Sequence, residues 1–115
     1  MRIDKVNELL KQEIGKILLT EFEFDPGMMV TVMSADTSDT LETATIWVSV
    51  YPEGRSGSAL EILNKRIGEI QKLLNKRLAL RFVPKISFKL DRSEKYASEI
   101  GELFGKIEKN EKNEK

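Results

Sequence analysis

A chain of 115 residues, 40% hydrophobic and 33% charged, is long enough for one ordinary domain and has no apolar run of membrane-spanning length. Cysteine and histidine are absent, which excludes disulfides, cysteine nucleophiles, histidine-based triads and most transition-metal sites. Because no secretory signal is visible either, we expect a folded protein of the reducing cytoplasm, with no cofactor and no membrane partner.

The first half of the chain predicts a helix followed by two antiparallel strands. Apolar residues recur at helical spacing over residues 4–20, where Asp4 is the expected cap, and the run Asp25-Pro26-Gly27 ends this pattern. Residues 28–35 and 43–51 are rich in β-branched and aromatic side chains and flank a turn at 36–39. Side chains of the second strand alternate between two faces. We expect Ala44, Ile46, Val48 and Val50 to pack on the helices, and Thr45, Trp47, Ser49 and Tyr51 to lie on the opposite face.

The second half predicts a divided helix, a third strand and a last helix. Ser58 and Glu61 have the spacing of a capping box, and an apolar stripe continues from there to Leu74. Gly68 interrupts this helix, which predicts a kink that splits it in two. Residues 86–90 alternate as a strand, and Ser93 is the expected cap of a helix reaching residue 107. We therefore predict a two-layer α+β domain over residues 1–108 and a charged, disordered tail over 109–115.

Charge is unevenly distributed along the chain, although 19 basic and 19 acidic side chains balance overall. Residues 17–54 contain seven acidic and no basic side chains, whereas residues 59–92 contain nine basic and three acidic ones, a net of +6. Such asymmetry between segments indicates a surface that binds a polyanion.

The basic segment supports two interpretations. Lys65, Lys72 and Lys76 are expected opposite the apolar stripe of the helix, where phosphates could dock, and basic residues continue beyond the helix to Arg81 and Lys85. The alternative is an ordinary solvated face on which Glu69 pairs with neighbouring lysines.

Two other groups of residues are candidate sites. Trp47 and Tyr51 lie on the outer face of their strand, where they could stack on bases, contact a protein, or simply cover their neighbours. The carboxylates of Asp36, Asp39 and Glu42 fall in a turn, where such residues mostly bond to their own backbone. No catalytic or metal-binding arrangement is predicted.

A succession of short motifs between residues 3 and 105 resembles the ribosome-binding factor A family. The motifs are KQEI at 11–14, DPGMMVTV at 25–32, IWVSV at 46–50, LALRFVP at 78–84, ISF at 86–88 and DRS at 91–93. The resemblance implies a type II KH-like domain of order α-β-β-α-α-β, with a kinked helix pair, a three-stranded sheet and a C-terminal helix. The usual Gly-x-x-Gly loop is replaced in that family by a kink at Ala-x-Gly, which corresponds here to Arg66-Ile67-Gly68.

The same resemblance implies a non-enzymatic function. Such proteins bind the free small (30S) ribosomal subunit through 16S rRNA and assist late maturation of the 16S 5′ end, notably in the cold. The expected partners are 16S rRNA and, as further candidates, small-subunit proteins, bound by a monomer in the cytoplasm. The residues expected to contact rRNA are Lys65, Arg66, Lys72, Lys76, Arg77, Arg81 and Lys85. A protein-interaction module centred on Trp47 and Tyr51, or a general KH-like RNA-binding protein, is the alternative.

Overall fold

The computed structural model describes residues 2–91. Its elements in chain order are α1 (Ile3–Glu21), β1 (Met29–Thr37), β2 (Thr43–Tyr51), a 3₁₀ turn (Glu53–Arg55), α2 (Ser56–Lys65), α3 (Ile67–Arg77) and β3 (Lys85–Leu90). The α-β-β-α-α-β order of the predicted KH-like α+β domain is thereby confirmed. The predicted helix from Ser93 to residue 107 and the predicted tail lie outside the described residues.

The three strands form one sheet in the order β1-β2-β3. β1 pairs antiparallel with β2, and β3 pairs parallel with β2, so the helices α2 and α3 lie in the crossover between two parallel strands. The helices cover one face of this sheet. The core between them is made of apolar side chains from the three helices and the three strands, including Leu10, Ile14, Val32, Ile46, Val48, Leu63, Ile70, Leu74, Ile86 and Phe88.

A β-bulge in β1 decides which of its residues face the core. The register shifts between Val32, which pairs with Val48, and Ser34, which pairs with Trp47. The extra residue reverses the alternation, so Thr37 is buried whereas Ser34 is exposed. Asn7 of α1 accepts hydrogen bonds from both the amide and the hydroxyl of Thr37, which satisfies the polar groups that the bulge turns inward.

Two predicted helix caps are wrong. α2 begins at Ser56, so Ser58 and Glu61 lie inside the helix and form no capping box. The reason is the preceding 3₁₀ turn, which leads directly into α2 while the hydroxyl of Ser56 donates to the carbonyl of Glu53 at 2.7 Å. α1 begins at Ile3, so Asp4 lies in the first turn and is not the cap. Its negative charge interacts favourably there with the positive end of the helix dipole.

The predicted division of the long helix is confirmed, but the break falls at Arg66 rather than at Gly68. Arg66 leaves helical geometry, with φ −109° and ψ 17°, and is shared by the end of α2 and the start of α3. Gly68 lies in the first turn of α3, and a Cβ atom added there would meet no atom within 4 Å beyond its chain neighbours and the nearby backbone of its own helix. A close approach at Gly68 therefore does not explain the kink.

The face of the sheet opposite the helices is lined by polar and aromatic side chains and by the exposed Met29, which pairs in register with Tyr51. β2 contributes Thr45, Trp47 and Ser49 to this face, which are half-buried, and Tyr51, which is exposed. The neighbouring strand β3 contributes Lys85, Ser87 and Lys89, all of them exposed. We call this face the open sheet face. No helix within residues 2–91 is long and apolar enough to cross a membrane.

Candidate nucleic-acid interface

Three of the predicted phosphate contacts lie on the outer side of the helix layer. Lys72 and Lys76 are one turn apart on α3, both exposed, and lie opposite the buried Ile70 and Leu74. Lys65 takes the corresponding side of α2, opposite Leu63. We call Lys65, Lys72 and Lys76 the helix surface. Among residues 2–91, none of these three lysines has an ion-pair partner within 4.0 Å.

The acid expected to neutralise the helix surface is engaged elsewhere. Glu69 accepts two hydrogen bonds from the guanidinium of Arg66, at 3.0 and 2.7 Å. This bidentate hydrogen bonding lowers the pKa of Glu69 and raises the pKa of Arg66. Glu69 therefore pairs with neither Lys65 nor Lys72, and the alternative of a fully ion-paired helix face loses its main acidic partner.

The side chain of Arg66 packs against the end of α1 instead of extending freely into solvent. Its guanidinium carbon lies 3.9 Å from the centroid of the Phe22 ring, and one of its nitrogens donates to the carbonyl of Glu21 at 3.3 Å. Phe22 is buried and stacks on Phe24, with 5.6 Å between ring centroids. The side chain thus joins the helix break to the end of α1, a role that its predicted contact with rRNA did not include.

Arg77 is also engaged within the protein. Its guanidinium lies 3.5 Å from the carboxylate of Glu13, and this pair connects the end of α3 to the middle of α1. The Arg77 side chain keeps 32% of its exposure, whereas Glu13 keeps 19%. Arg77 is therefore a weaker candidate for an outside phosphate than Lys72 or Lys76.

The remaining two predicted contacts lie away from the helix surface. Arg81 is exposed in the loop before β3, where its guanidinium is 5.6 Å from the ring of Phe82. Lys85 begins β3 on the open sheet face, on the opposite side of the two layers from Lys72. The seven predicted rRNA-contacting residues are therefore not brought together into one surface.

Lys89 is a basic residue of the open sheet face that lies outside the site predicted from the sequence. It pairs in register with Trp47, and its ammonium lies 6.0 Å from the centroid of the indole ring. Alternation in β3 places it on the same face as Lys85. The alternation of residues in β3 could have predicted from the sequence that Lys85 and Lys89 share a face. Only the pairing of β3 with β2 shows that Lys89 lies beside Trp47.

The acidic turn between β1 and β2 is a structural feature. The hydroxyl of Ser38 accepts hydrogen bonds from the amides of Glu42 and Thr43, both at 3.2 Å, while Leu41 adopts a positive φ of 65°. Asp36 is separated from this turn because it lies within β1. Within residues 2–91, no three acidic side chains are grouped as a metal site would require.

Comparison with known proteins gives consistent results over nearly the whole chain. The model of the family described as Ribosome-binding factor A matches residues 2–104. A protein of Akkermansia muciniphila named ribosome-binding factor A is 40% identical over 109 residues, which cover 95% of this chain and 86% of that protein.

Two solved structures share the fold. The crystal structure of ribosome-binding factor A from Thermus thermophilus has a TM-score of 0.67 and 21% identity, covering 81% of this chain and all of that one. A Thermus thermophilus homology model of the same factor, fitted into a cryo-EM map of its complex with 30S, has a TM-score of 0.65 and 21% identity. It covers 80% of this chain and 97% of that one.

Proposed function

The chain belongs to the ribosome-binding factor A family, and on that premise we propose that it is an assembly factor that binds the free small ribosomal subunit through 16S rRNA. The observation that carries this proposal on the chain itself is the helix surface. Lys65, Lys72 and Lys76 project from adjoining helices, and the nearby acid Glu69 is paired with Arg66.

The chemistry of the helix surface suits a phosphate backbone. Lysine ammonium groups act as point charges that neutralise phosphates and release counterions, so binding of this kind weakens steeply as salt is added. Lysines on adjoining helices separated by a fixed bend form a rigid charged surface, which favours folded RNA over a flexible strand. The Thermus thermophilus factor, which shares the fold, is described in complex with 30S, and this supports the same partner here.

The proposed mechanism is occupancy without catalysis. A monomer in the cytoplasm binds the immature subunit, holds its rRNA in a precursor conformation, and delays its entry into translation. By this action the protein assists late maturation of the 16S 5′ end, a step that matters most in the cold, when misfolded RNA is slow to rearrange.

Co-sedimentation tests this proposal directly. The protein is expected to sediment with free small subunits and not with assembled ribosomes, and the bound fraction should fall steeply between low and moderate salt. A protein-interaction module bound through an aromatic patch would lose much less affinity over the same salt range. An affinity that does not change with salt concentration, or that is equal for free subunits and assembled ribosomes, would contradict the proposal.

The role in processing of the 16S 5′ end is tested separately in cells. Cells that lack the protein should accumulate 16S precursors with an extended 5′ end, and more so at low temperature. Expression of the protein should restore processing, whereas a variant that combines Lys72→Gln with Lys76→Gln should restore it only in part.

A further inference from the structure

We propose that the open sheet face is a second RNA-binding surface, which takes an unpaired stretch of RNA with bases stacked on Trp47 and Tyr51 and phosphates beside Lys85 and Lys89. This surface is separate from the helix surface and binds RNA of a different form. The proposal does not depend on the small ribosomal subunit being the partner, because the same chemistry would act on any unpaired RNA.

The two aromatic side chains lie on one strand and one face. Trp47 is at the middle of the central strand and half-exposed, while Tyr51 is four residues further along and 70% exposed. At the ordinary rise of a strand the two residues are about 13 Å apart, so each ring can take a separate base. Aromatic rings on a sheet are a recurrent platform for unpaired bases, because every base offers a flat face to stack.

Positive charge on this face is concentrated along one edge of the sheet. Lys85 and Lys89 are both exposed on β3, and the ammonium of Lys89 is 6.0 Å from the Trp47 ring. The acidic side chain of Asp36 lies on β1, at the opposite edge. A strand of RNA lying along β2 with its phosphates toward β3 would therefore meet Lys89 beside Trp47 and Lys85 beside Thr43, while Tyr51 would stack a further base beyond the end of β3.

The side chains around Trp47 favour RNA over a protein partner. Thr31, Ser34, Thr45, Ser49 and Ser87 alternate outward across the three strands, so small hydroxyl groups surround the ring. Hydroxyls donate and accept hydrogen bonds with base edges and ribose hydroxyls, and their small size keeps the surface flat. The centre of a protein interface is usually more apolar than this.

The test uses the full chain and the fluorescence of Trp47, which is the only tryptophan. Acrylamide should quench this fluorescence in part, as expected for a half-buried ring, and short oligoadenylate or oligouridylate should quench it further by stacking. Labelled RNA then measures affinity by anisotropy. Tyr51→Ala should weaken binding by roughly five- to 150-fold, the range expected for loss of one stacked base. Lys89→Gln should weaken binding and reduce its salt dependence.

Each variant has a matched control on another surface. Phe82→Ala removes a ring that is 76% exposed in the loop before β3, and Lys72→Gln removes an exposed charge from the helix surface. Phe82→Ala should leave the affinity for oligonucleotides unchanged, and Lys72→Gln should reduce it less than Lys89→Gln does. Retained binding of Lys72→Gln to oligonucleotides together with reduced binding to small subunits would assign the two RNA partners to separate surfaces.

Four results would overturn the proposal. Trp47 shielded from acrylamide in the full chain would mean that the face is already covered. Absence of quenching by the oligonucleotides, or equal losses in the matched controls, would remove the stacking site. If Tyr51→Ala weakened binding to small subunits without changing oligonucleotide affinity, the face would be a protein contact instead.

Discussion

The side chain of Gln71 completes the outer edge of the sheet for Ile86. Its carbonyl oxygen accepts the amide of Ile86 at 2.9 Å, and its amide nitrogen donates to the carbonyl of Pro84 at 3.1 Å. A helix side chain thus takes the place that a neighbouring strand would occupy. This pairing fixes α3, which carries Lys72 and Lys76, against β3, which carries Lys85 and Lys89.

Gln71→Leu should destabilise the protein by about 1–3 kcal/mol, because the partly buried amide of Ile86 loses its acceptor. Urea unfolding followed by circular dichroism measures the change. The matched control is Gln12→Leu, since Gln12 is exposed on α1 and its side chain donates a hydrogen bond to the equally exposed Glu8. Equal effects of the two substitutions would mean that the strand edge does not depend on Gln71.

Arg66→Ala should lower the free energy of unfolding and should have only a small effect on the affinity for small subunits. The substitution removes the contacts that join the helix break to Phe22 and Glu21, whereas the helix surface keeps its three lysines. Thermal unfolding and co-sedimentation of the same preparation separate the two effects. Because Arg66→Ala also releases the Glu69 carboxylate beside the lysines, the deciding variant combines Arg66→Ala with Glu69→Gln. If this double variant folded stably and no longer bound small subunits, Arg66 would be assigned to the rRNA contacts.

Because Glu69 is paired with Arg66, we expect the folded protein to lose part of its free energy of unfolding in acid. The pKa of Glu69 is lower in the folded protein than in the unfolded chain, chiefly because its carboxylate accepts hydrogen bonds from Arg66. Its contribution is therefore present above the ordinary pKa of a glutamate, about 4.3, and is lost as the pH falls through the lower value of the folded state. Unfolding of Glu69→Gln and of the unsubstituted protein should differ at pH 7 and converge in strong acid. A difference that persists in strong acid would rule out the carboxylate as its source.

Replacing both Lys72 and Lys76 with glutamine should weaken binding to small subunits and make it less sensitive to salt. Each lost phosphate contact should reduce the magnitude of the slope of log affinity against log salt by about 0.7–0.9. The slope of the double variant should therefore be smaller in magnitude by roughly 1.4–1.8. Arg77 is left unchanged, because its guanidinium pairs with Glu13 and its substitution would disturb the contact between α1 and α3.

The control for this double variant is Lys5→Gln with Lys11→Gln, which removes the same charge from exposed positions on α1. Both proteins then carry the same net charge, so a general electrostatic effect would reduce their affinities equally. An unchanged salt slope in the Lys72 and Lys76 variant would exclude these residues from the phosphate contacts.

The sequence predicted the elements of this fold because side-chain periodicity reports directly on burial. The stripe that includes Leu10 and Ile14 marked α1, and the alternation around Ile46 marked β2. Both patterns arise from local geometry, in which a residue and its near neighbours repeat on one side of an element. The same reasoning placed Trp47 on the outer face and Lys72 on the solvent side of its helix.

The sequence by itself therefore determined the order of elements, the buried and exposed sides of α1, β2 and α3, the charged segment and the family motifs. Only the tertiary structure decided which cations have partners. Arg66 meets the carbonyl of a residue 45 positions away, and Arg77 meets Glu13, because packing brings α1 beside the helix pair. The bulge in β1 and the separation of Lys85 from Lys72 likewise depend on strand pairing and layering. Periodicity specifies the side of an element, but distances between elements arise only when the core is packed.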